Sequence, residues 1–384
     1  YIIPKPFDPR LIAEIAPAVA KAAMASGIAT RPIEDFSAYR ERLSRFVYRS
    51  GFVMKPIFDA AKAEHARVRK RLVYAEGEQP VVLQAAQQAA GEGIAWPILV
   101  GRREVILQRI ASLGLRFRPD KDFDIFDHAD PRIAELAEDY QGLVERKGIS
   151  PSHARRIVRG GGTVVAGLLL RRGDADAMIC GVVGRFQTQL RHVLQVIGKR
   201  SGVRGLATLS VMILPGGPLF IADTYVTYDP EPDHLAEIAL LAAEEVRRFG
   251  LEPKVALLSH SNFGAEDTRS ARKMREVLTI LKEWSPGLEV EGEMHADAAL
   301  SPTIRDVIFP NSRLEGAANL LVMPGLDAAN IAFNMLKVVV PGAVAVGPIL
   351  LGADKPVHIV TPSVTVRGLL NMSAFAVVDS TRMD

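Results

Sequence analysis

Residues 71–101, RLVYAEGEQPVVLQAAQQAAGEGIAWPILVG, decide the fold. Arg71-Leu-Val-Tyr-Ala75 is a short apolar run, 81–91 carries apolar residues at helical spacing, and Pro97-Ile-Leu-Val-Gly101 is a second apolar run. Apolar runs without polar alternation belong to strands buried on both faces, and a helix between two of them is the crossover of a parallel pair. The same texture extends outward, with strands expected at 177–183, 254–259, 318–323, 344–351 and 357–360. The clearest helix covers 234–249: Asp233 is placed to N-cap it, Arg247 and Arg248 lie in its last turn, and Gly250 follows. The fold class is α/β, with two α/β lobes, mainly parallel sheets and a cleft between the lobes.

A chain of 384 residues with 48% hydrophobic and 24% charged side chains can bury a large core, which excludes disorder and a disulfide scaffold. The longest uncharged stretch, 338–353, is broken by Pro341, Gly342, Gly347 and Pro348 and falls short of the about 20 apolar residues of a bilayer span. The net charge of +3 is spread along the chain, so no nucleic-acid footprint is expected. One cysteine, Cys180, and no signal peptide predict a cytoplasmic location. The first residue is Tyr1 rather than Met, and the chain reads as a piece of a longer one. Residues 1–10 carry three prolines and predict an extended lead-in, followed by helices at 11–26, closed by Gly27, and at 37–48, followed by Gly51. With little core of their own, residues 1–66 read as the tail of a preceding domain.

Open parallel sheets bind ligands at the carboxyl ends of their strands. The loop Ser259-His260-Ser261-Asn262-Phe263-Gly264 lies at such an end; it can offer N–H groups to an anion or be an ordinary capped strand-to-helix junction. Neither a Gly-x-Gly-x-x-Gly fingerprint nor a Gly-x-x-x-x-Gly-Lys-Ser/Thr loop is present. Glu293, His295 and Asp297 alternate as metal ligands on a strand would, but nothing completes a coordination shell, so no metal is expected. Cys180 sits in an apolar run and reads as a buried, inert thiol.

Six segments in order resemble the phosphate acetyltransferase/butyryltransferase family. They are Tyr74-Ala-Glu-Gly-Glu78 with 92–101, Gly173-Asp-Ala-Asp-Ala177 through Gly181 to Arg191, and Val255-Ala-Leu-Leu-Ser-His-Ser261. Glu291-Gly-Glu-Met-His-Ala-Asp-Ala-Ala299, Pro324-Gly-Leu-Asp-Ala-Ala-Asn-Ile331 and Gly347-Pro-Ile-Leu-Leu-Gly-Ala-Asp-Lys-Pro-Val357 complete the set. The resemblance covers about residues 70–384 and implies one lobe from 67–201 plus 349–384 and another from 202–348. Upstream, Tyr1 to Arg10, Ala29-Thr-Arg-Pro-Ile33 and Ser50-Gly-Phe-Val-Met-Lys-Pro56 resemble the end of a malic enzyme's cofactor domain. That pairing is the arrangement of bacterial hybrid NADP-dependent malic enzymes, oxidoreductases that convert malate to pyruvate.

Active transferases of the family grip phosphate with an Arg and are thought to use an Asp as base toward the coenzyme A thiol. In this sequence the Arg position falls on Pro362, after Thr361, and the Asp position on Gly368. Pro carries no charge and Gly is no base, so no catalytic residue is expected. Arg191 matches a second phosphate-binding Arg, Arg146 is a candidate substitute for a third, and Asn262-Phe263 replaces a Thr-Lys pair. The resemblance implies acetyl-CoA at Asn330, Asn334, Lys337, Gly352, Lys355, Thr361 and Pro362, with 352–361 forming a wall along it. It implies a candidate anion site at Arg191, Ser259, Ser261 and Asn262. The expected role is a regulatory acetyl-CoA-binding and oligomerisation unit; an active transferase with an altered site and a purely structural module are the alternatives. NADP and a divalent metal belong to the preceding malic enzyme part. That part and further copies of the chain are the expected partners, as a dimer or a higher assembly up to a hexamer.

Overall fold

The structure is a computed structural model that describes residues 9–383. Helices α1 (Pro9–Ala25) and α2 (Phe36–Arg67) lead into β1 (Arg71–Tyr74), α3 (Pro80–Gly91), β2 (Trp96–Val100), α4 (Arg103–Ser112) and β3 (Asp124–Phe126). Helices α5 (Ile133–Val144), α6 (Pro151–Gly160) and α7 (Gly162–Arg172) precede β4 (Ala177–Cys180) and α8 (Phe186–Val196). Then come β5 (Ala207–Leu214), β6 (Gly217–Ala222), α9 (Pro232–Arg248), β7 (Lys254–Leu258), α10 (Arg269–Trp284) and β8 (Glu289–Met294). Helices α11 (Ala296–Leu300) and α12 (Pro302–Ile308), β9 (Leu320–Val322), α13 (Leu326–Val339), β10 (Val344–Leu351), β11 (Val357–Ile359) and α14 (Val366–Asp379) complete the order.

The first sheet has the order β11-β4-β1-β2-β3, and every pairing is parallel. The second has the order β10-β5-β6-β9-β7-β8, in which only β5 runs against its neighbours. The α/β class with mainly parallel sheets is therefore correct. The β5–β6 hairpin is an addition to the expected strands, as is the three-residue β3.

Helix α14 joins the two sheets. Leu369, Leu370, Met372, Phe375 and Val377 are buried, and the helix packs on α3 and β4 of one layer and on β10 of the other. One core thus includes Leu72 and Leu99 of the first sheet and Leu209, Val211 and Phe220 of the second. The Tyr74 and Ser373 hydroxyls, 2.7 Å apart, satisfy each other inside it.

Two helix boundaries differ from those expected. Asp35 caps α2 by accepting from Ser37 N and Ala38 N, and the helix runs on through Gly51 to Arg67. Met54, Ile57 and Ala61, at positions i, i+3 and i+7, are buried in the shared core, and α2 packs on α14. Burying Met54 and Ile57 is worth about 1.5–3 kcal/mol each, more than the about 1 kcal/mol a helical Gly costs. The core therefore begins inside the segment 1–66. Asp233 is not the N-cap of α9: Glu231 holds that position, Pro232 opens the helix, and Asp233 pairs with Arg204 at 2.6 Å. The lead-in 1–8 lies outside the described residues. No helix among the described residues is long and apolar enough to cross a membrane.

Candidate functional site

The carboxyl ends of β1, β4 and β11 lie side by side, because these strands are adjacent and parallel. Helix α8 starts directly after β4 and reaches the second sheet. The Phe186 ring lies 5.1 Å from the Tyr225 ring, and Gln187 Nε2 donates to the Tyr225 carbonyl at 2.9 Å. Tyr225 belongs to the loop that follows β6, so the carboxyl edges of both sheets meet at this seam.

Two carboxylates hold the seam in shape. Glu76, just past β1, accepts from Gly181 N at 3.0 Å, pinning the loop after β4. Burial raises its carboxyl to about 7, against the pull of the Gly181 and Val182 N–H groups. On the second sheet, buried Asp223 accepts at Oδ1 from Thr208 N, Thr208 Oγ1, Tyr225 N and Val226 N, and at Oδ2 from Thr227 N. Sequence reasoning assigned neither a role. The available signal was a carboxylate directly after an apolar run, which a buried strand end tolerates only when backbone donors surround it.

Glu76 makes folding pH-dependent. Its folded carboxyl titrates near 7 and its unfolded one near 4.5, so between these values the native state holds more protons and stability falls as pH rises. Glu76→Gln keeps the acceptor and removes the titration. The stability of the variant relative to the parent should grow by on the order of 2–3 kcal/mol between pH 5 and pH 8 in denaturant unfolding. Parallel pH profiles for the two proteins would show that Glu76 stays ionised in the fold.

At the end of β11, the Val364 N–H donates to Thr361 O, a turn with Pro362 at its second position, where a fixed φ is favoured. Thr361 Oγ1 and Ser363 Oγ lie 3.1 Å apart, and Pro362 is exposed. Gly368 lies in the first turn of α14, where its N–H donates to the capping Thr365 Oγ1 at 3.0 Å. Arg191, on α8, is exposed and has no carboxylate partner among the described residues, and the same holds for Arg146 in the short turn after α5. On α13, Asn330 Nδ2 donates to Thr224 O at 3.0 Å and Asn334 Nδ2 to Asn330 O. Lys337, one turn further along this face, is exposed without a carboxylate partner among the described residues.

Two expected groupings do not form. Gly352 and Lys355 precede β11 while Thr361 and Pro362 follow it, and Val357, His358 and Ile359 between them are buried, so 352–361 is no continuous wall. Gly352 is itself buried. With φ +80°, a Cβ there would stand 2.9 Å from Val203 Cγ1 and 3.0 Å from Gly205 O, so a large residue would break this packing instead of blocking a cleft. The residue holds the 200–205 loop, accepting from Arg200 N at 2.9 Å.

The 259–264 loop also spends its polar groups internally. Buried Ser261 donates to Glu293 Oε1 at 2.7 Å, as do Gly264 N and Arg275 Nη1, each at 2.9 Å. Asn262 Oδ1 accepts from His295 N, and the Ser259 hydroxyl accepts from Ser261 N. Arg191 lies on an element of the other layer. Strand β8 ends at Met294, so His295 caps α11 and Asp297 lies in its first turn; no metal-binding cluster occurs among the described residues. Cys180 is buried, with its thiol pushed well up by burial and by nearby Glu76.

Comparison with known proteins agrees with this geometry. Residues 52–377 match the family of phosphate acetyl/butaryl transferases. An NAD-dependent malic enzyme of Rhizobium meliloti is 52% identical over 381 residues, 99% of this chain and 49% of the relative. An NADP-dependent malic enzyme of Salmonella typhimurium is 51% identical over 99% of this chain and 50% of its own length. The chain thus spans about half the length of these relatives. Among solved structures, a phosphotransacetylase from Streptococcus pyogenes superposes with a TM-score of 0.77 at 26% identity, covering 85% of this chain and 99% of that one.

Proposed function

The chain belongs to the phosphate acetyl/butaryl transferase family, and from that premise we propose that it is a regulatory acetyl-CoA-binding and oligomerisation unit of a cytoplasmic malic enzyme. The similarity to malic enzymes over 99% of the chain supports the parent activity, oxidative decarboxylation of malate. A nicotinamide dinucleotide and a divalent metal would serve the half that precedes these residues. The observation that carries the regulatory reading is the turn at Thr361–Pro362. There the chain turns at the end of β11, closed by Val364 N–H on Thr361 O, and Pro362 offers no cation to a phosphate. Allostery then requires that acetyl-CoA favour one of two arrangements of the longer protein, since a ligand shifts an equilibrium only by its differential affinity.

Calorimetric titration of the full protein with acetyl-CoA tests this reading. Lys337→Ala should weaken binding about tenfold, the loss of one hydrogen bond to a charged group, and should blunt the response of malate oxidation to acetyl-CoA. Lys337 is exposed, so the variant should fold normally. An unchanged affinity and an unchanged response would place the ligand elsewhere.

Ile331, Met335, Val338 and Val339 are 64%, 58%, 83% and 69% exposed and form an apolar stripe beside the Asn330–Lys337 row. Such a stripe on a helix favours self-association as a closed dimer. Light scattering should show a dimer or larger assembly that Met335→Glu with Val338→Glu shifts toward monomer. A parent protein that is monomeric at micromolar concentration would refute the interface.

A further inference from the structure

We propose that the cavity at the amino-terminal edge of the first sheet is a second binding site, for a small hydroxylated polyanion. The cavity measures about 630 Å³ and is walled by the end of α2, the end of α3, the first residue of β2 and the 116–122 loop. That volume lies within the about 300–1,000 Å³ of small-molecule sites. Arg69 and Trp96 sit at the amino ends of β1 and β2, so the cavity occupies the edge opposite the seam. Ligands of open α/β sheets bind at the carboxyl edge, so this position points to binding without chemistry on the ligand.

Charge and hydrogen bonding define the ligand class. Two acids face the cavity, and both are engaged: Glu92 accepts from Lys62 Nζ at 3.0 Å, and Asp122 from Arg118 N at 2.8 Å and Arg118 Nε at 3.3 Å. Arg69, Arg116 and Lys121 also line it and have no carboxylate partner among the described residues. The Arg69 guanidinium lies 3.4 Å from the centre of the Trp96 ring, and the indole N–H is fixed by Asp124 Oδ2 at 2.7 Å. Stacking holds Arg69 in place while leaving its N–H edges free, which lowers the entropy lost on meeting an anion.

Two further wall atoms call for donors. His65 Nδ1 and Gln88 Oε1 are buried and have no hydrogen-bond partner among the described residues. Burial lowers the His65 pKa against a backbone hydrogen bond with Lys70, and a neutral imidazole has one nitrogen that accepts. A buried acceptor left unmade costs about 1–3 kcal/mol, and an anion carrying hydroxyl groups supplies the missing donors. A phosphorylated hydroxy acid and a hydroxy polycarboxylate share this chemistry.

The test uses the full chain in a Trp284→Phe background, which leaves Trp96 as the one indole of these 384 residues. Trp96 fluorescence is titrated with 3-phosphoglycerate, with citrate and with acetate as control, at ionic strength about 50 mM to limit screening. The expected result is a saturable change with at least one of the two polyanions and none with acetate. Arg116→Ala with Lys121→Ala, both exposed, should weaken it at least tenfold, while Lys337→Ala leaves it unchanged. Binding by one polyanion alone assigns the site to phosphate or to polycarboxylate. No saturation by either below about 10 mM, equal affinity in the double variant, or loss of binding in Lys337→Ala overturns the proposal. It stands apart from the acetyl-CoA reading, since neither the residues nor the probes are shared.

Discussion

Incubated with acetyl-CoA and inorganic phosphate, the chain should form acetyl phosphate at no more than about one turnover per second. Two positions at the seam, Pro362 and Gly368, carry this expectation. The family resemblance sets Pro362 at the position of the phosphate-gripping Arg; it is exposed at the corner of a turn and has neither charge nor N–H. The same resemblance sets Gly368 at the position of the base, with its N–H taken by the Thr365 cap. Losing a general base costs about 10²–10⁴-fold, and losing a charged phosphate contact of about 1.5–3 kcal/mol costs roughly ten- to a hundredfold more. Starting from the usual range of about 1–10³ per second, the product is near or under background. Arg191, exposed on α8, matches a second family cation, and an always-charged guanidinium cannot replace a base. Turnover throughout the usual range, measured as acetyl-CoA loss dependent on phosphate, would show that other groups at the seam do the chemistry. The regulatory reading would then fail with it.

The architecture was legible wherever one short segment carries its own signal. Apolar runs at 71–75, 97–101, 254–259 and 357–360 became β1, β2, β7 and β11 because burial on both faces leaves no polar position to blur the pattern. The β5–β6 hairpin was missed. Thr208 and Ser210 interrupt the run with buried hydroxyls, satisfied by Asp223 and by Thr224, which come from the following loop. Helix α2 was cut short because Gly51 reads locally as a stop, whereas the residues that overrule it, Met54, Ile57 and Ala61, bury against α14, more than 300 positions later. At the seam the family resemblance implied one ligand wall along 352–361. Three buried residues of β11 divide it, a fact set by strand pairing with β4 and absent from spacing. The role of Glu293 was illegible for the same reason: its partners Ser261, Gly264 and Arg275 lie on elements that meet only in the fold, with β7 and β8 paired.

Gly181→Ala should unfold the protein more readily than any single exchange on its surface, at a cost of about 4 kcal/mol within a range of about 2–6. Two effects meet at this residue, and other glycines separate them. Gly181 has φ +98°, and a Cβ would lie 2.3 Å from Val360 O and 2.9 Å from Ile359 Cγ2 on the neighbouring strand. Gly148 has φ +74° with nothing within 4 Å, so Gly148→Ala reports backbone strain alone, about 1–2 kcal/mol. Gly162 has no left-handed φ, but a Cβ there would stand 2.1 Å from Ala75 O, so Gly162→Ala reports the clash alone. Neither neighbour of Gly181 can give way cheaply: Val360 N is already bonded to Cys180 O at 2.8 Å, and Ile359 is fully buried. The Ala variant keeps the N–H that Glu76 accepts, so any loss comes from shape and not from that hydrogen bond. Denaturant midpoints of the three variants should rank Gly148→Ala nearest the parent and Gly181→Ala furthest. The displaced Val360 backbone leads straight into Thr361, so acetyl-CoA affinity should fall in Gly181→Ala and hold in Gly148→Ala. A Gly181→Ala protein within about 1 kcal/mol of the parent would mean that β4 and β11 part easily at their carboxyl ends, and the rigid seam on which the ligand reading depends would be gone.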